Sequence, residues 1–184
     1  MAVIRSVAFL RAINVGGHTV KMDRLRALFA DLGLANVETF IASGNVLFDA
    51  PSARTETLET RIEQQLQQAL GYEVLTYIRP LATLAAIAAD HPFATHEADG
   101  HALSIGFLKA PLDAARAAGL AALANDYDDF HINDRQVYWR CRGRMSDSKL
   151  FGKVLDRAIG TPATFRNVTT VRKLAARASA SERR

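Results

Sequence analysis

Two strand-length apolar runs, residues 3–10 and 102–108, each lead into an amphipathic helix and then a hairpin, and that order constrains this chain most. The first run is β-branched and apolar and too short to stand alone as a helix, so it reads as a central strand. After Gly16 and Gly17, the residues Met22, Leu25, Leu28, Phe29 and Leu32 recur at helical spacing, and Gly33 ends that helix. Residues 37–42 and 46–48 read as strands joined by the turn residues Ser43-Gly44-Asn45. Pro51-Ser52 breaks the chain, and Leu58, Ile62, Leu66, Ala69 and Leu70 mark a second helix up to Gly71. Residues 73–79 give a fourth strand, ended by Pro80.

Residues 1–80 thus read β-α-β-β-α-β, the ferredoxin-like order with two helices on one face of a four-stranded antiparallel sheet. An Ala-rich helix at 81–90 and a polar loop to Gly100 form a connection. The order then starts again: a strand at 102–108, a helix at 112–124, a hairpin of 130–132 with 136–141, and a helix at 149–159. A short strand at 163–165 and a terminal helix at 168–178 complete it. The expected fold is α+β: two tandem ferredoxin-like α/β plaits, 1–80 and 101–184, joined by residues 81–100. The repeat lies in the order of elements and not in residue identity.

Apolar and charged contents are those of an ordinary globular protein. The apolar N-terminal run carries Arg5 and Arg11 and is too short to span a membrane, so no membrane partner is expected. It also lacks a signal-peptide cleavage site. A single cysteine, Cys141, excludes an internal disulfide and fits a reducing cytoplasm. The net charge of +4 hides a division: residues 51–134 hold five Lys/Arg against twelve Asp/Glu, and residues 135–184 hold thirteen against three. A basic C-terminal third points to an anionic partner or to a solvated helical face.

Several motifs are shared with a known group. Arg11-Ala12-Ile13-Asn14-Val15-Gly16-Gly17, the Ser43-Gly44-Asn45-Val46 turn, Pro92-Phe93, Ser148-Lys149-Leu150 and the run Thr164-x-Arg166-Asn167-x-x-Thr170-Val171-x-Lys173-Leu174 resemble an uncharacterised bacterial family of unknown function. The resemblance spans nearly the whole chain and implies a pair of α/β-plait subdomains. It brings no activity, substrate or cofactor. Val168 and Thr169 stand where members often have Trp and Asn, and Phe165 where a small polar residue is common.

The site expected from these residues is a glycine-rich loop in a basic cleft between the subdomains, holding a small phosphorylated or carboxylated ligand. Main-chain N–H groups of Gly16 and Gly17 would meet the anion, and Arg11, Lys149 and Arg166 would neutralise it. Asn14, Ser43 and Asn45 would orient it. The same glycines also suit a tight turn that needs positive φ, with Asn14 bonding the backbone. Neither a Walker loop nor a dinucleotide fingerprint is present, and no cofactor is expected.

An alternative is RNA or single-stranded nucleic acid binding by Arg140, Arg142, Arg144, Arg172 and Lys173. The alternating arginines would project to one side. A further alternative is an enzyme using the same cleft, for which Ser43 and His18 are the only candidates. Asp147 or Ser148 would cap the helix that follows, and Asn167 the last one. Arginines around Cys141 would lower its pKa. His91, His96 and His101 lack metal-ligand spacing, and no metal is expected.

Overall fold

The computed structural model describes residues 3–41, 44–51, 55–90 and 92–181. Ser43 and His91 lie outside them. By its contacts the chain divides into two units, Met1–Ile87 with Leu174–Arg184, and Ala88–Lys173. The expected division gave the whole C-terminal helix to the second half; the contacts give its residues from Leu174 onward to the first.

The first unit runs β1 (Val3–Leu10), α1 (Met22–Ala30), β2 (Ala35–Phe40), β3 (Asn45–Pro51), α2 (Thr55–Leu70), β4 (Thr76–Pro80) and α3 (Leu81–Ala89). Its strands pair antiparallel in the order β2-β3-β1-β4, the ferredoxin-like arrangement. Alternation along β1 sends Ala8 and Leu10 to the helices, where they meet Leu25, Leu28 and Phe29 of α1 and Leu58, Ile62 and Leu66 of α2. Burying each such large side chain contributes about 1.5–3 kcal/mol. Val7, Phe9, Leu47 and Tyr77 point to the opposite face and are fully buried as well.

An edge strand leaves a row of N–H groups unpaired. Helix α2 closes the β4 edge with carboxylates one helical turn apart. Thr76 N–H donates to Glu63 Oε1 at 2.8 Å, and Ile78 N–H donates to Glu59 Oε1 at 2.7 Å. Glu59 is 2% exposed, so this carboxylate is a buried part of the sheet edge and not a surface charge.

The second unit runs α4 (Ala94–Ala98), β5 (Ala102–Phe107), α5 (Ala114–Ala121), β6 (Asp128–Asn133) and β7 (Gln136–Cys141). A 3-10 turn (Met145–Asp147), α6 (Lys153–Ile159), β8 (Thr164–Asn167) and α7 (Val168–Ser181) follow, the last shared with the first unit. The strand order is β6-β7-β5-β8, the same as in the first unit. Its core gathers Leu108, Leu120, Phe130, Val137, Trp139, Leu155 and Ile159. Phe165 lies directly over Gly106, where an added Cβ would come within 2.5 Å of its ring, and it meets Trp139 edge-on at 5.7 Å. That cross-strand fit accounts for a bulky ring at a position where members of the family this chain resembles commonly have a small polar residue.

Helix α6 starts later than the sequence suggests. Ser148 Oγ accepts from Leu150 N–H at 3.0 Å and donates to Asp128 Oδ2 at 2.8 Å, and Gly152 turns to φ +78°. Ser148 is therefore a tether between this segment and the sheet, and neither it nor Asp147 caps the helix. Asn167 does cap α7, accepting from Thr169 N–H at 2.8 Å.

Candidate functional site

The connection from β1 to α1, residues 11–21, holds most of the residues singled out by the sequence. Asn14 Oδ1 accepts from Val20 N–H at 2.7 Å and ties the two ends of the loop together. Between them, residues 15–19 stand exposed. His18 N–H donates to Val15 O at 3.1 Å across Gly16 (φ +62°) and Gly17 (φ +87°). Positive φ at both central residues is the type I′ turn, which glycine adopts without steric cost. A Cβ added at either glycine would meet nothing within 4 Å, so the turn faces open space. Among the described residues no acceptor takes the Gly16 or Gly17 N–H.

Three neighbouring features separate this loop from an ordinary connection. Ala12 (φ +68°), Asn14 (φ +55°) and Ile41 (φ +51°) adopt left-handed backbone without being glycine. For the β-branched Ile41 that is a true outlier, and such strain costs about 1–3 kcal/mol per residue. The two strained segments meet. Leu10 N–H donates to Gly44 O at 2.8 Å, and a Cβ on Gly44 would press on Leu10 and Ile13 at 3.1–3.2 Å. Lys21, at the N-cap of helix α1, makes no side-chain cap, so the first N–H groups of the helix are uncovered.

Around the loop, the His18 ring stacks on Tyr72 with centroids 3.8 Å apart, and the Tyr72 hydroxyl is buried without a partner among the described residues. Val15 and Ile41 are exposed at 56% and 53%. Lys21 and Arg24 are exposed, while Asp23 pairs with Arg26.

The remaining expected residues fall elsewhere. Arg11 donates its backbone N–H to Leu75 O at 2.8 Å, and its guanidinium lies against the Tyr77 hydroxyl. Burial pushes that phenol up to about 12, and the Arg11 charge opposes the rise. Asn45 is fully buried and donates from Nδ2 to Phe40 O at 2.9 Å, closing the β2–β3 turn. Arg166 is buried in the second unit, where Nη1 donates to Thr164 Oγ1 and to Phe165 O at 2.9 Å. Lys149 is exposed there, beside a surface hollow lined by Asn125, Asp126, Tyr127 and Asp147.

The arginines proposed to track a phosphate backbone do not form one free stripe. Arg140 is 7% exposed and pairs with Asp129 at 3.7 Å, and Arg144 donates to Asp147 at 3.0 Å. Arg172 grips both oxygens of Glu97, and Lys173 is exposed. Residues at which a plait would stack bases, such as Phe9, Tyr77, Phe107 and Tyr138, are buried.

Cys141 corrects the expectation of an activated thiol. It is fully buried and donates from Sγ to Asp128 Oδ1 at 3.3 Å. Burial first, and the Asp128 carboxylate second, push it well above the ordinary thiol range. Asp128 also accepts from Trp139 Nε1 at 2.8 Å and from Ser148, so it is a hub that sequence reading missed. Among the described residues no group of three or more His, Cys, Asp or Glu is placed to hold a metal ion, and no helix is long and apolar enough to cross a membrane.

Fold and site define a tandem α/β-plait protein with one elaborated strand-to-helix loop. The family described as "Protein of unknown function (DUF1697)" matches residues 3–138, and the chain belongs to it. Among solved structures, the conserved bacterial protein SP0830 from Streptococcus pneumoniae is similar over 95% of this chain and 98% of its own. The identity is 24% and the TM-score 0.76, a likeness of fold. No curated protein matches the chain.

Proposed function

We propose that the 11–21 loop binds a small ligand through a phosphate or carboxylate group. The observation that carries this reading is an exposed pair of unclaimed N–H groups, Gly16 and Gly17, ahead of a helix that no side chain caps. Uncapped helix N–H groups and their dipole favour an anion. Lys21 adds positive charge, and the exposed Val15 and Ile41 offer apolar contact to the body of the ligand. Asn14 and Asn45 hold the loop and its neighbouring turn in shape, and Arg11 anchors the end of β1.

Thermal-shift titrations with inorganic phosphate, phosphomonoesters and aliphatic carboxylates test the reading. Lys21→Ala removes an exposed charge with no partner among the described residues and should weaken binding about fivefold or more, at unchanged melting temperature without ligand. Saturable binding of identical affinity in wild type and Lys21→Ala, or no binding of any of these anions, would overturn it.

A further inference from the structure

We propose that His101, Arg140 and Arg142 form a second receptor for a single phosphate group, on the sheet of the second unit. Trp139 and Cys141 face the core of that unit, so alternation along β7 turns Arg140 to the opposite side, and Arg142 comes directly after the strand. Arg140 pairs with Leu103 across the sheet, and His101 immediately precedes β5. The His101 ring lies 5.4 Å from that of His96, and its backbone N–H donates to His96 O at 3.1 Å.

Two buried atoms in this corner lack partners among the described residues: Arg140 Nε and His101 Nδ1. A buried guanidinium N–H without an acceptor is uncommon and calls for an explanation. Among the described residues the anionic group on Arg140 is Asp129, at a loose 3.7 Å from Nη2, so much of the guanidinium charge is unanswered. Arg142 is exposed at the rim. Of the nearby carboxylates, Glu97 is held by Arg172, and Asp99 is exposed on the loop after α4. Burial first, and then neighbouring Arg140 and Arg142, hold the pKa of His101 below its ordinary value, while Asp99 opposes them. A bound phosphate would reverse that balance, supply an acceptor to Arg140, and favour the imidazolium. The source is either a free phosphomonoester or the backbone of a nucleic acid.

The test follows the imidazole and guanidinium NMR signals of the full chain during titration with inorganic phosphate. A saturable shift at His101 and Arg140 is expected, tightening as pH falls from 8 to 6. Arg142→Gln, at an exposed position, should weaken it about fivefold or more, and Asp129→Asn, which removes the competing carboxylate, should tighten it about threefold. The second variant is a gain that a structural role for Arg140 does not produce. Signals that stay still at high phosphate in both wild type and Asp129→Asn would overturn the proposal. So would a shift unaffected by Arg142→Gln. Glycerol phosphate and a short single-stranded RNA then separate the two sources, since RNA binding alone falls steeply with salt. Arg142→Gln leaves the 11–21 loop intact, so the two sites succeed or fail independently.

Discussion

The two units answer the same structural problem in different ways. Both must carry the chain from a central strand to the first helix of a ferredoxin-like plait. In the second unit, residues 108–113 do so by a plain route. Leu108 N–H donates to Arg135 O, Pro111 stiffens the path, and Asp113 caps α5 by accepting from Arg116 N–H at 2.8 Å. In the first unit, residues 11–21 take almost twice the length, carry left-handed Ala12 and Asn14, and reach an uncapped helix. The fold needs only the plain version. The strain and open donors of the first connection are what the proposed binding role rests on, and the second connection serves as an internal control.

That contrast can be broken or sharpened by substitution. The largest effect should fall on the second unit, away from either connection. Asp128→Ala strands the Trp139, Cys141 and Ser148 donors and should cost about 3 kcal/mol in urea unfolding, with phosphate affinity at the loop unchanged. Glu59→Ala uncovers the Ile78 N–H at the first sheet's edge and should cost about 2 kcal/mol, again without touching the loop. Asp113→Ala should cost about 1 kcal/mol of stability, as a lost helix cap does, while Lys21→Asp should add about 0.5 kcal/mol or more and abolish anion binding. Opposite signs at matching positions are what the comparison requires. Ile41→Gly relieves the left-handed strain and should stabilise the protein by about 1 kcal/mol while weakening binding.

The smallest effect is a pH dependence. His101 has its pKa lowered in the folded protein, first by burial and then by Arg140. The folded form therefore binds fewer protons, and its stability is held above the ordinary value near pH 6.5 and lost as pH falls through the lowered one. The urea midpoint of wild type should fall relative to that of His101→Gln as pH falls from 8 to 6.

Much of this architecture was legible in the sequence, because periodicity fixes which face of an element is buried. Val3–Leu10 and Gln136–Cys141 fall where their apolar and β-branched content puts them. Side-chain partners were not legible. Arg11 reads as a ligand cation beside Gly16, yet in space it meets Tyr77 of β4, three strands further along the chain. Arg140, beside Cys141 in sequence, points to the other side of β7, so burial and Asp128 outweigh its lowering effect on the thiol. Helix α6 reads from residue 149, but the Ser148–Asp128 bond and the left-handed Gly152 delay it. The glycine pair forms the tight turn that its positive φ allows, and among the described residues no acceptor takes its N–H groups, which is what the proposed anion site rests on.

The most direct test of the contrast between the two connections is the backbone amide spectrum of the ¹⁵N-labelled chain, titrated with inorganic phosphate. Saturable shifts at Gly16, Gly17 and Met22, with the amides of Lys109 and Ala110 unmoved, are predicted. Equal movement of both connections, or movement of neither, would contradict the assignment of the first as a binding site.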